Sequence, residues 1–82
     1  MLQSLVEEAE AIGWYEQRMS LEKDKTAKAI MENAQKEEFK HFSMDLEFLL
    51  RNNDTWRKIA KNILFNTGDI VDLGEKAEEQ AD

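Results

Sequence analysis

Glu38 and His41 stand three residues apart in a long stretch whose hydrophobic pattern calls for apolar side chains at both positions. They share one helical stripe, called here the polar seam, which runs through Ala27, Met31, Ala34, Glu38, His41, Asp45 and Phe48. A carboxylate and an imidazole on a buried stripe are costly unless a partner replaces their lost hydration. A metal ion suits this pair best, because Glu-x-x-His is the inward-facing motif of carboxylate-bridged di-iron bundles. The spacing therefore predicts a metal site.

Glu8 is the third candidate ligand and lies on a predicted first helix. It stands one turn before Ile12 and close to the apolar face of Leu5 and Ile12, so we expect it to point inward. Tyr15, seven residues later, lies at nearly the same azimuth. We interpret Trp14 and Tyr15 as interface aromatics; alternatively, the phenol of Tyr15 lies near the metal and hydrogen-bonds a ligand or supplies an electron. One chain thus supplies about half of a di-iron ligand set, and a two-fold dimer would complete two equivalent positions.

The ligand types bear on which metal binds. Carboxylate oxygens with one imidazole and no sulfur suit iron or manganese; zinc or calcium could substitute. Because His41 must be neutral to bind, we expect metal affinity to fall at acidic pH. Two other readings stay open. His41 could be a surface residue or a hydrogen-bonded core residue, and the polar seam could fix the register of a non-catalytic helical oligomer or adaptor.

Composition limits the alternatives. The chain has 82 residues, a net charge of −7 and no cysteine, which predicts a single small domain without disulfides or thiolate metal sites. The absence of a basic patch argues against a nucleic-acid partner. No apolar run approaches the roughly 20 residues of a membrane span, and no signal peptide is recognisable, so we expect a cytoplasmic protein without a membrane partner. A core this small favours stabilisation by metal or by oligomerisation.

The chain contains no proline and only three glycines, so helix is the expected state over most of its length. Ser20, Asp24 and Thr26 favour a turn, and Asn52 to Asp54 favour a second interruption. The predicted helices are residues 2–19, 24 or 25–50, and about 55–65. Residues 1–66 then form the helical domain, and the acidic residues 67–82 are expected to be a flexible tail.

The predicted fold is all-α, an antiparallel helical hairpin with a short third helix. The second helix carries another apolar stripe besides the polar seam, formed by Phe39, Phe42, Leu46 and Leu49. A hairpin cannot cover both stripes, so we expect two hairpins to pair into a four-helix bundle, with the spare stripe available for a higher oligomer. A monomer at micromolar concentration would contradict this expectation.

Three segments carry a family resemblance: EEAEAIGWYEQR (7–18), EEFKHFSMDLEFLLRN (37–52) and residues 56–65. In this order and spacing they resemble the encapsulated ferritin family, and the combination of WYEQR with a downstream EE-x-x-H is specific. The likeness covers about residues 5–65. It implies a ferritin-like four-helix bundle made by two chains, with a ferroxidase centre between subunits. It also implies assembly into a ring-shaped decamer inside an encapsulin shell.

The resemblance also assigns roles to residues. It places the iron ligands on the three residues already singled out, Glu8, Glu38 and His41. It places a metal entry site on Glu7 and Glu10, with Trp14 beneath it, and it places Tyr15 near the ferroxidase centre. A peripheral metal site of the family uses a histidine and two acids, but this chain has Asn33, Glu37 and Lys40 there. No version of the family's shell-targeting peptide is recognisable in GEKAEEQAD.

The implied activity is that of a ferroxidase. Fe²⁺ is oxidised by O₂ at a di-iron centre holding two Fe per dimer, and Fe³⁺ passes to a mineral store. The implied partners are further copies of the chain and an encapsulin shell protein, which places the protein in a cytoplasmic encapsulin nanocompartment. A related di-iron enzyme that uses peroxide or transfers electrons is the alternative within the same chemistry.

Overall fold

The computed structural model describes residues 1–81, which contain four α-helices and no β-strand. The helices are α1 (Leu2–Leu21), α2 (Lys25–Arg51), α3 (Asp54–Lys61) and α4 (Ile70–Ala81). The all-α prediction is therefore confirmed for the described residues. Two compact units divide the chain within α2: Met1–Glu47 forms the first, and the second begins at Phe48.

The first unit is a helical hairpin of α1 and most of α2. Glu22 follows α1 with extended backbone angles, φ −78° and ψ 128°, which end the helix. The carboxylate Oδ1 of Asp24 accepts a hydrogen bond from the backbone N–H of Ala27 at 2.9 Å and so caps the start of α2. The turn thus lies where the sequence predicts it. Because the connection is short, the two helices are antiparallel neighbours.

Little of a single chain is buried. Among the described residues no large side chain is fully buried; Ala77 (0% exposed) and Gln35 (6%) are the buried positions. Most of the polar seam is half-buried, whereas Phe39 and Phe48 are about half exposed. This weak core matches the expectation that a chain of this size needs metal or oligomerisation. The dimer itself remains a prediction.

The second unit contains a short capped helix, α3, directly after the end of α2. The side chain of Asn53 accepts a hydrogen bond from the backbone N–H of Trp56 at 2.9 Å, so Asn53 is the N-cap of α3 and lies within the interruption predicted at residues 52–54. The helix ends at Lys61, earlier than predicted, because the next two backbone N–H groups, of Asn62 and Ile63, bond carbonyls only three residues back. Phe65 has a positive φ of 61°, a left-handed conformation that a right-handed helix cannot contain. The Asn66 side-chain amide also donates to the carbonyl of Lys61 at 3.0 Å, which stabilises the helix end.

A fourth helix lies where the sequence predicts a flexible tail. The carboxylate Oδ2 of Asp69 accepts from the backbone N–H of Asp72 at 3.1 Å, close to the start of α4. Leu73 and Ala77 share one helical face, and α4 packs against α3. This short apolar face was overlooked in the sequence because most residues around it are acidic.

Asp82 lies outside the described residues, and the domain division at residue 66 stays a prediction. Across residues 1–81 no helix has the length and apolar character needed to cross a bilayer.

Candidate metal centre

Glu8 carries a buried side-chain oxygen that lacks a hydrogen-bond partner within residues 1–81. Its carboxylate oxygen Oε2 is buried and has no hydrogen-bond donor among the described residues. Burial is the largest cause of a raised pKa at Glu8, followed by a hydrogen bond and negative charge from Asp45 and the charge of Glu38. The hydrogen bond to Asp45 requires a proton on one of the two carboxyl groups. When both are ionised, Oε2 therefore faces negative charge and lacks a partner.

Glu38 and His41 lie on the neighbouring helix, one turn apart. The Nδ1 atom of His41 is 3.8 Å from Oε1 of Glu38, which is too long for a hydrogen bond. The Glu38 side chain is 24% exposed and the His41 side chain is 48% exposed. His41 lowers the pKa of Glu8, so it acts electrostatically on the carboxylate of α1. The hairpin thus brings the three predicted ligands to one region, with Glu38 more covered than His41.

The described part of one chain contains no closed metal site. Among residues 1–81 no group of three or more His, Asp or Glu side chains is arranged to hold a metal ion. The donors present are carboxylate oxygens and one imidazole, which fit ferrous iron or manganese, and the buried Oε2 of Glu8 is suited to a cation. The arrangement corresponds chemically to part of a coordination sphere.

Asp45 lies closer to the candidate centre than the sequence suggests. Sequence reasoning favours a solvated residue near the end of the bundle, or an indirect partner of the site. In the structure Asp45 is half-buried, and it lies close enough to Glu8 to raise the pKa of that carboxyl group. Its position on the polar seam, four residues after His41, is a signal that Asp45 shares the helix face of the predicted ligands.

The aromatic residues of α1 form a small cluster. The rings of Trp14 and Tyr15 meet edge to face with centroids 5.0 Å apart, and the Arg18 guanidinium lies 4.7 Å from the Trp14 ring centroid. Tyr15 is half-buried, whereas Trp14 is 49% exposed. A large aromatic ring left in solvent by a single chain is compatible with the predicted interface role. The assignment of Tyr15 to the reaction centre stays a prediction.

The peripheral acids fall into two groups. Glu7 and Glu10 are exposed and stand one turn apart on α1, so solvent cations reach them freely. Glu37 instead forms an ion pair with Lys40, whose Nζ atom is 2.8 Å from Oε2, and this contact lowers the pKa of Glu37. The lysine supplies the positive charge that a metal would supply at the peripheral position. That position is therefore poorly suited to a cation in this chain.

Sequence reasoning missed Gln35. This residue is 6% exposed, and its side-chain amide donates to the carbonyl of Ile12 at 3.2 Å and to Oε2 of Glu16 at 2.8 Å. The signal was present, because Gln35 precedes Phe39 by four residues and Phe42 by seven on the second stripe of α2.

Comparison with known protein families covers all the candidate site residues described above. The sequence model of the EncFtn-like family matches residues 1–67, which include every residue discussed in the first unit. The chain belongs to the EncFtn-like family. The resemblance inferred from WYEQR and the downstream EE-x-x-H is thereby confirmed. Helix α4 lies outside the part that matches the EncFtn-like family.

Two relatives extend the comparison of this EncFtn-like chain. It is 40% identical over 75 residues to a ferritin-like protein of Thermotoga maritima, covering 92% of this chain and 66% of that protein. It is 39% identical over 68 residues to an encapsulated ferritin-like protein of Rhodospirillum rubrum, covering 83% of this chain and 49% of that one. The chain thus spans less than two thirds of the length of either relative.

The Glu8 carboxyl group predicts a pH dependence of stability in the metal-free protein. Its folded-state pKa is raised above the ordinary value of 4.5, so the folded protein binds the proton more tightly than the unfolded chain. Stability from this group is present below pH 4.5 and is lost as pH rises through the raised pKa. Glu8→Gln should therefore make the metal-free protein more stable than wild type at pH 7, with a smaller difference at pH 4.

Denaturant unfolding of both proteins from pH 4 to pH 7.5, in the presence of a chelator, measures this difference. Glu10→Gln is the matched control, since it makes the same change at an exposed position of the same helix. We expect the control to follow wild type. A Glu8→Gln protein that is less stable than wild type at pH 7 would contradict the unfavourable environment assigned to this carboxylate.

Proposed function

We propose that this EncFtn-like chain is a ferroxidase that oxidises Fe²⁺ with O₂ at a di-iron centre between two subunits. Glu8, Glu38 and His41 of each chain supply the ligands, and two Fe bind per dimer. The observation that carries the proposal is the buried Oε2 of Glu8, which lacks a donor and faces the acidic side chains of α2. A divalent cation is the partner that relieves this arrangement.

The shortage of ligands within one chain supports the inter-subunit part of the proposal. One hairpin offers two carboxylates and one imidazole, and the region of His41 is about half exposed. A second hairpin related by a two-fold axis would double the donors and cover this surface. The exposed apolar side chains of the first unit, among them Val6, Trp14, Ile30, Phe39 and Met44, give such an interface apolar area.

The chain's own groups account for the chemistry expected at such a centre. Carboxylates of Glu8 and Glu38 offset the charge of two Fe²⁺ ions held close together, and neutral His41 completes the donor set. The two Fe²⁺ ions together give two electrons to one O₂, which takes up two protons from solvent and leaves as H₂O₂. The harder Fe³⁺ product is also well matched by carboxylate oxygens. In this proposal the exposed acids Glu7 and Glu10 draw cations from solvent, and Tyr15 acts as a phenol near the centre.

The destination of the oxidised iron belongs to the same proposal. A relative of this chain bears the name encapsulated ferritin-like protein. We propose that this chain likewise acts inside an encapsulin shell in the cytoplasm, where a ring-shaped decamer would feed a mineral store that the ring itself cannot enclose. Mn²⁺, Zn²⁺ or Ca²⁺ could occupy the same ligands without the redox step.

Anaerobic addition of Fe²⁺ followed by air tests the proposal. We expect an absorbance rise from Fe³⁺ that is much faster than in a protein-free sample at the same pH. Oxidation no faster than in the protein-free sample would reject the activity and favour the non-catalytic helical oligomer. Running the same reaction anaerobically with H₂O₂ separates the alternative di-iron enzyme, for which peroxide would be the faster oxidant.

A further inference from the structure

We infer that Gln35 is a positioning residue that sets the register of α1 against α2 and thereby holds Glu8 opposite Glu38 and His41. The inference rests on the proposed function, because it assigns Gln35 a role toward that metal site. Gln35 stands one turn before Glu38 on α2. Its bonding partner Ile12 stands one turn after Glu8 on α1.

The two hydrogen bonds of Gln35 connect α2 to α1 at a defined position along the axis of α1. Nε2 donates to the backbone carbonyl of Ile12 at 3.2 Å and to Oε2 of Glu16 at 2.8 Å. Both partners are acceptors, so the amide must present its NH₂ group to them, and this decides its orientation. The Ile12 carbonyl belongs to the backbone of α1, so its position along the helix axis does not depend on a side-chain rotamer.

Register in this hairpin needs such a contact. Among the described residues no large side chain is fully buried, so interlocking apolar packing contributes less to the register than in an ordinary core. A slip of α1 by one turn shifts it by about 5.4 Å and keeps similar faces together. Such a slip would move Glu8 away from Glu38 and His41 while leaving a helical hairpin. Buried polar residues fix the register of paired helices in this manner.

Gln35 differs from a residue that acts through stability alone. Ile12 lies inside α1, where its carbonyl also accepts the regular helix bond, and Glu16 is exposed. Removing the amide therefore leaves no buried group unsatisfied, because Glu16 can turn to water. Methionine has a similar volume and fills the same space without polar atoms. Gln35→Met should therefore keep or raise thermal stability while it loosens the register.

The test compares Mn²⁺ binding and thermal unfolding of wild type and Gln35→Met. Mn²⁺ is the probe because carboxylate and imidazole ligands suit it. We expect affinity to fall by at least about tenfold, as when partners that orient metal ligands are removed elsewhere. The midpoint of thermal unfolding without metal should stay within about 3 °C or rise. Gln17→Met, at an exposed position of α1, is the matched control and should bind like wild type.

A register measurement that is independent of metal completes the test. The chain has no cysteine, so nitroxide labels at Gln3→Cys and Lys28→Cys report one distance between α1 and α2. The labelled chain is refolded with a tenfold excess of unlabelled chain, so that pairs within one chain dominate. We expect one narrow distance with Gln35. With Gln35→Met we expect a broader distribution that includes a component shifted by about 5 Å.

Three results would overturn the inference. One is unchanged Mn²⁺ affinity in Gln35→Met, and the second is an unchanged label distance. The third is a loss of affinity together with a large drop in the unfolding midpoint, since that pattern indicates a stabilising role alone. If wild type itself binds no Mn²⁺ or Fe²⁺, the proposed function is rejected. The label distances then decide the register role of Gln35 by themselves.

Discussion

His41→Ala should slow the oxidation of Fe²⁺ by at least about a hundredfold, and Glu8→Ala and Glu38→Ala should have effects of similar size. Each change removes one donor from a set that a single chain already leaves incomplete, since residues 1–81 contain no closed group of three ligands. In the proposed dimer each substitution is present twice, so both metal positions lose a ligand. Misplacing reacting groups by even about 1 Å can cost about a hundredfold in rate.

Stopped-flow absorbance after mixing anaerobic Fe²⁺-loaded protein with O₂ measures this rate. Glu32→Ala is the matched control, because Glu32 is an exposed acid on the same helix and lies 3.8 Å from Lys36 in an exposed ion pair. Its removal should leave the rate close to that of wild type. Wild-type rates in all three ligand variants would reject the assigned centre, even if the protein still oxidises iron elsewhere.

Metal binding should also raise thermal stability strongly. A chain without a fully buried large side chain among its described residues has little stability of its own, and ligands that bind the folded state add to it. A site filled at a hundred times its dissociation constant adds about 2.7 kcal/mol. For a chain of this size, that shifts the unfolding midpoint by on the order of ten degrees. Mn²⁺ is suitable because it binds without the redox reaction.

Calorimetry with Mn²⁺ and with a chelator gives the two midpoints. Because the proposed centre lies between chains, the metal-induced rise should vanish in His41→Ala. It should also be larger at low protein concentration, where metal-free subunits dissociate. The same rise in His41→Ala as in wild type would mean that Mn²⁺ stabilises the protein through another group, such as the exposed acids Glu7 and Glu10.

The two long helices were predictable because local signals and periodicity agree. The turn after α1 is set by Glu22 and Asp24, whose short-range backbone and side-chain contacts are encoded locally. The end of α3 was not predictable in the same way, since the left-handed conformation of Phe65 has no sequence signature such as glycine. Helix α4 was missed because its acidic composition favours disorder, whereas its packing against α3 is a tertiary effect.

The sequence predicts those residues of the candidate site that can be identified from the face they occupy on a single helix. Glu38 and His41 follow from the spacing of the polar seam, and Glu8 follows from its position beside Ile12. The contact of Asp45 with Glu8 depends on the register between α1 and α2, which periodicity does not determine. Gln35 depends on the same register, because its partners lie 23 and 19 residues away along the chain.

Native mass spectrometry of the protein loaded with Fe²⁺ without oxygen tests the central claim most directly, since it counts chains and metal ions together. The inter-subunit centre predicts species with even numbers of chains and two Fe for each pair, and it predicts that His41→Ala loses both ions. Two results would contradict the account: single chains that each bind one Fe²⁺, or oligomers with an even number of chains that carry no iron.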